Sequence, residues 1–133
     1  MASHPQMLKI GKSVQKQLDP KRVLSKAVIR GITLLEISRS EAARIIGFSE
    51  ASLSRLNSGT KTVDPKTKEG ELCLLFIRLF RSLDTFLGGD ETKMKVWLRA
   101  GNTYLGQSPL EAIQTVGGLV NVVSYLDAMR RKI

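Results

Sequence analysis

Apolar residues recur along this chain at the three- and four-residue spacings of helices, and no segment alternates strictly enough to read as a strand. Residues 1–18 are polar and basic, interrupted by Gly11. Asp19-Pro20 then has the form of a helix start, with Asp at the N-cap and Pro at the first helical position. Val23, Leu24, Ala27, Val28 and Ile32 follow at helical spacing, and Gly31 is expected to weaken or end that helix. Ser40-Glu41 opens a short helix over 40–46 that Gly47 closes; Ser49 caps another over 50–57 that Gly59 closes. Residues 60–67 have loop chemistry. A long helix over 67–87 carries the wide stripe Leu72, Leu75, Ile77, Leu79, Phe80, Leu83, Phe86 and Leu87, and Gly88-Gly89-Asp90 stops it. A helix so apolar needs cover, either between two halves of the chain or against a second copy. A helix over 91–99 containing Trp97, a loop over 100–108 and a short helix from Pro109 to 115 come next. Gly117-Gly118 is expected to break that helix, and a last one over 119–130 places Leu119, Val120, Val123, Leu126 and Met129 on one face. The predicted fold class is all-α.

The segment 40–59 has the local requirements of a helix-turn-helix. Two short helices packed steeply need a small residue where they touch, and Ala43 supplies it. Four positions later Gly47 tolerates the left-handed backbone of a tight turn. Leu53 and Leu56 anchor the second helix at i and i+3, while Ile46 and Phe48 flank the turn. Glu50, Ala51, Ser52, Ser54 and Arg55 are left on outward or groove-facing positions, mostly small, polar or basic, which suits a helix in the major groove. Arg55 could pair with guanine or with phosphate, and Ser49 and Ser52 could hold phosphates or read base edges. Lys61, just beyond the second helix, completes the candidate DNA-binding set.

Charge strengthens this reading. The net charge is +9 with a pI near 10.1, a balance that favours polyanions. Residues 1–62 hold 11 Lys or Arg against 4 Asp or Glu, whereas 63–133 hold 10 against 8, so the basic character sits in the N-terminal half with the helix-turn-helix. At 42% hydrophobic residues but only 5% aromatic, the core must be built from Leu, Ile and Val.

Other chemistries find no support. Cys73 is the only cysteine, so no disulfide framework is expected; it lies in the apolar run 72–77 and reads as a core residue. His4 is the only histidine, which leaves neither a zinc site nor a Ser-His-Asp or Cys-His pair. Gly11-Lys12-Ser13 resembles the end of a phosphate-binding loop, but Gln6 occupies the position where that loop needs glycine. Glu69 and Glu71 are two apart at a helix start and do not face each other. No catalytic residue, metal ligand or cofactor is expected. The first residues lack a signal-peptide core, and no stretch is long and apolar enough for a membrane span, so the expected location is the cytoplasm.

The second half resembles the Xre/MbcA/ParS family of antitoxins, partners of RES-domain toxins. The resemblance rests on Trp97-Leu98-Arg99, Asn102, Leu105-Gly106, Ser108-Pro109-Leu110, Gly117-Gly118-Leu119 and Tyr125-Leu126-Asp127-Ala128-Met129-Arg130, in order, across about 92–130, preceded by an Xre-type helix-turn-helix. Gly101 and Gln107 depart from the family, which commonly has Pro and a second Gly there. The resemblance implies a homodimeric antitoxin that neutralises a toxin consuming NAD and represses its own operon by binding double-stranded DNA. It further implies that the C-terminal end, Arg130, Arg131, Lys132 and Ile133, reaches the toxin's active-site pocket; the dipole of a helix terminus is the other explanation for those cations. The organisation expected is a basic arm (1–18), a DNA-binding region (19–66) and a dimerisation and toxin-binding helical region (67–133), with Trp97 as a core anchor. A stand-alone helix-turn-helix repressor without a toxin is the alternative.

Overall fold

The computed structural model describes residues 19–132, and among these it contains seven helices and no strand. The basic arm at 1–18, with His4 and Gly11-Lys12-Ser13, and the terminal Ile133 lie outside the described residues.

Helix α1 spans Pro20–Leu34, its start fixed by the Asp19 side chain accepting from the Lys21 amide at 3.1 Å. Gly31 does not end it. Gly31 is buried inside the helix, and a Cβ there would lie 3.0 Å from Cε2 of Phe76 on the long helix, so the glycine lets the two helices approach. Helix α2, Arg39–Ile46, starts earlier than expected because Ser38 is the N-cap. Ser38 and Glu41 form a reciprocal capping box, each side chain accepting from the other's backbone amide at 3.1 Å. Helix α3, Glu50–Ser58, is capped by Ser49, and both α2 and α3 end in left-handed glycines, Gly47 at φ 72° and Gly59 at φ 83°.

Helix α4, Lys68–Phe86, is the central strut and packs against α1, α2, α5 and α7. Cys73, Phe76, Leu79 and Leu83 are fully buried along it, while Leu72, Leu75, Ile77, Phe80, Phe86 and Leu87 are partly buried against the same core. The stripe is thus covered largely within the chain, and its width alone does not call for a second copy. Leu74 is exposed beside it. Burial, and secondarily the carboxylate of Glu69, push the Cys73 thiol up to about 12. It is the buried core residue the sequence suggested.

Helix α5, Glu91–Arg99, leads into a loop closed by Asn102 and Gln107, where the Asn102 amide donates to the Gln107 carbonyl at 3.2 Å. Helix α6 is one turn, Pro109–Ala112, capped by Ser108. Helix α7 spans Val116–Arg131 with Thr115 as its N-cap. Gly117 and Gly118 therefore open the last helix rather than breaking the one before. Its inward face is Leu119, Val122, Val123 and Leu126; Val120 is exposed. With valines at 120, 122 and 123, apolar spacing alone left the phase of this helix open, and packing against α4 selected it. One continuous apolar cluster runs from Leu24 on α1 to Leu126 on α7.

Candidate functional site

The helix-turn-helix is assembled by the residues the sequence singled out. Ala43 is buried, Gly47 makes the turn, and Leu53 and Leu56 anchor α3. A Cβ on Gly47 would lie 3.2 Å from the Leu72 side chain, so the turn rests directly on α4. Because 53 and 56 point inward, the opposite face of α3 presents Ala51, Ser54 and Arg55, all exposed, with Glu50 exposed at its first turn. Among the described residues the Arg55 guanidinium has no hydrogen bond or ion pair, which leaves its donors available.

The polar residues at the start of α3 are more committed. The Ser49 hydroxyl accepts from the Ser52 amide at 3.1 Å as the helix cap. The Ser52 hydroxyl accepts from the Lys61 ammonium at 3.3 Å, and the same ammonium lies 5.0 Å above the centroid of Phe48. Lys61 is thus folded back onto the start of the exposed helix. Its loop is pinned by Ser25, a buried hydroxyl on α1 that accepts from the Val63 amide at 2.9 Å and donates to the Lys21 carbonyl at 2.6 Å. Sequence reading missed Ser25, because nothing local links positions 25 and 63. The structure therefore gathers Ser49, Ser52 and Lys61 at one end of α3 and spreads Ala51, Ser54 and Arg55 along its open face.

The C-terminal surface is organised around Asp127, a buried carboxylate on α7. It accepts from the Ser82 hydroxyl at 3.1 Å and from the guanidinium of Arg78, both on α4, and lies 3.9 Å from the Arg130 guanidinium. This polar staple joins the two longest helices and orients the first cation of the tail. Arg130 and Arg131 occupy the last turn of α7, and Lys132 is its C-cap; all three are exposed. Trp97 packs against the edge of the apolar core rather than inside it. It is half-buried and belongs to an aromatic ladder, 6.4 Å from the half-buried Tyr125, which stands 4.9 Å from the exposed Tyr104. Met94 and Leu98 are the residues that bury α5.

The two halves are tied by polar contacts. Arg44 on α2 donates to Gln114 after α6 at 2.6 Å, and Arg99 at the end of α5 donates to the Leu35 and Glu36 carbonyls at 2.9 and 2.7 Å. No group of three or more potential metal-ligating side chains occurs among the described residues, and no helix among them is long and apolar enough to cross a membrane.

A helix-turn-helix with an open polar face is thus continuous with a C-terminal helical unit whose last turn carries exposed cations. The sequence signature of the antitoxin Xre-like helix-turn-helix domain matches residues 14–78, and that of the antitoxin Xre/MbcA/ParS C-terminal toxin-binding domain matches residues 82–132. The chain belongs to the Xre/MbcA/ParS family of antitoxins. Among solved structures, a chain of the M. tuberculosis MbcT-MbcA toxin-antitoxin complex has the same fold, with a TM-score of 0.62 and 22% identity over 84% of this chain and 96% of that one. No match is found among curated proteins.

Proposed function

We propose that this chain is the antitoxin of a type II toxin–antitoxin pair, neutralising a RES-domain, NAD-consuming toxin through residues 67–133 and repressing its own operon through residues 19–66. The observation that carries this reading is the coexistence, in one continuous fold, of the open polar face of α3 and a C-terminal unit of the toxin-binding family. The solved relative comes from a toxin–antitoxin complex, which supports a toxin partner here. On the DNA side, Arg55 reads a guanine or holds a phosphate, Glu50, Ala51 and Ser54 approach base edges, and Ser49, Ser52 and Lys61 set the start of α3 against the backbone. On the toxin side, the tail residues Arg130, Arg131 and Lys132, with Ile133 at the tip, enter or rim the pocket that takes the dinucleotide and occlude it by bulk. The chain acts without a cofactor, as a regulator in the cytoplasm.

The DNA half is tested on duplex from the region upstream of the chain's own coding sequence. Binding should weaken steeply with salt, since each Lys or Arg on a phosphate releases counterions. Arg55→Ala should cost about 1–3 kcal/mol if the guanidinium reads a base. Equal affinity of wild type and R55A would remove Arg55 from the site, and no binding at low salt would remove the DNA role.

A homodimer fits this function, because two recognition helices related by a two-fold axis match a palindromic operator. The mass of the protein–DNA complex by light scattering should then correspond to two chains per duplex. One chain per duplex would overturn the dimer.

A further inference from the structure

We infer that Arg99, at the end of α5 in the toxin-binding region, is a positioning residue for DNA binding: it holds the turn from which the helix-turn-helix springs. The inference rests on the DNA-binding reading above and adds to it a residue from the other half of the chain.

The turn between α1 and α2 is short and strained. Glu36 within it has φ 54°, the left-handed region, and is the one non-glycine residue in that region among those described. A side chain with a Cβ disfavours this conformation, and it persists only where surrounding contacts hold it. Those contacts come from α5. The Nη2 group of Arg99 donates to the Leu35 carbonyl at 2.9 Å and the Glu36 carbonyl at 2.7 Å, while its Nη1 donates to the Lys95 carbonyl at 3.1 Å. The Lys95 ammonium pairs with the Glu36 carboxylate at 3.3 Å. Carbonyls at the end of a helix lack intrahelical partners, and a cation there is also favoured by the helix dipole. One guanidinium NH2 group therefore satisfies two carbonyls at the C-terminal end of α1, while the other ties the guanidinium to α5, and together they fix the backbone two residues before Ser38, the N-cap of α2. The direction in which α2 leaves the turn, and with it the placement of α3, is set at this point.

The clamp is separate from the core. Arg99 itself is exposed, and α5 is anchored by Met94 and Leu98. Removing the guanidinium should therefore leave the fold standing and loosen only the turn. Base readout depends on the exact placement of α3, whereas phosphate attraction does not. The expected signature is thus a loss of specific binding with non-specific binding retained.

The experiment measures full-length wild type, R99A, R99K and the double variant R99A/E36G on upstream duplex and on a scrambled duplex of equal length. R99A should bind the upstream duplex about tenfold more weakly, the cost of one charge-assisted contact, and the scrambled duplex as wild type does. R99K, whose ammonium can reach a carbonyl but lacks the fork, should recover part of the loss. Glycine adopts the left-handed conformation without strain, so E36G should restore specific binding to R99A. A direct phosphate contact by Arg99 would weaken both duplexes and resist rescue by E36G, and would overturn the proposal, as would an R99A variant with unchanged specific affinity. Wild type that binds neither duplex would overturn the DNA-binding reading itself.

Discussion

Gly118→Ala should lower the stability of this protein by about 3 kcal/mol, near the upper end of the usual cost of overpacking. The neighbouring Gly117→Ala should be neutral or slightly stabilising. A Cβ on Gly118 would fall 1.8 Å from the Ala112 carbonyl oxygen and 2.7 Å from its carbon, and 2.9 Å from the Thr115 hydroxyl that caps α7. The obstacle is backbone, so no side-chain rotation relieves it. Gly117 has nothing within 4 Å of such a Cβ, and alanine there gains helix propensity. Gly70 repeats the arrangement at the start of α4, where a Cβ would fall 2.0 Å from the Asp64 carbonyl oxygen. In both helices the capping threonine, Thr67 or Thr115, accepts from the amide of the glycine three residues on, and the chain just before the cap doubles back over that glycine. Thermal melts should show G118A down by about 10 °C and G117A within a few degrees of wild type. Equal melting temperatures would mean that the packing of α6 against α7 differs from that described.

Truncation after Met129 should release the toxin while leaving the antitoxin folded. The last buried residue of α7 is Asp127, and its bonds to Ser82 and Arg78 do not involve the tail. Arg130 contributes only a contact at 3.9 Å, with its side chain about half exposed, so the fold should lose little. Truncating one partner of a buried, hydrogen-bonded charge pair at an interface typically costs about 2–5 kcal/mol, so if the tail cations pair with toxin carboxylates, affinity for the toxin should fall by roughly 100-fold or more. Co-expression with a RES-domain toxin gives the readout in growth, and pull-down gives it in binding. R55A should behave oppositely, retaining neutralisation and losing repression. A truncated protein that melts like wild type and still rescues growth would assign protection to the body of the C-terminal region, where Tyr104 and Arg78 are among the exposed side chains.

Helix existence and most helix ends were legible because they are local chemistry. Asp19-Pro20, Ser49, Gly47 and Gly59 act on amides and torsions within a turn of themselves, and each does what its residue type implies. The helix-turn-helix was legible for the same reason, since its small residue, turn glycine and two anchors lie within one short segment. The errors have a common cause. Weakening or ending α1 at Gly31, breaking a helix at Gly117-Gly118 and burying Val120 all treated as local what is decided by a neighbour: Phe76 against Gly31, the Ala112 carbonyl against Gly118, and α4 against one of several apolar faces of α7.

By itself, then, the sequence determined an all-helical chain, a basic N-terminal half, the open face of α3 with Arg55 on it, and the motif that marks the antitoxin family. Capping, periodicity and net charge are properties of residues close together in the chain, so they can be read in order. Only the tertiary structure decided that Ser25 pins the loop of Lys61, that Asp127 gathers Arg78, Ser82 and Arg130, and that Arg99 clamps the turn at Glu36. These contacts join positions 38 to 63 residues apart or lie on such a network. A carboxylate or guanidinium acquires its partners from whichever helices pack beside it, and that packing is a property of the whole core.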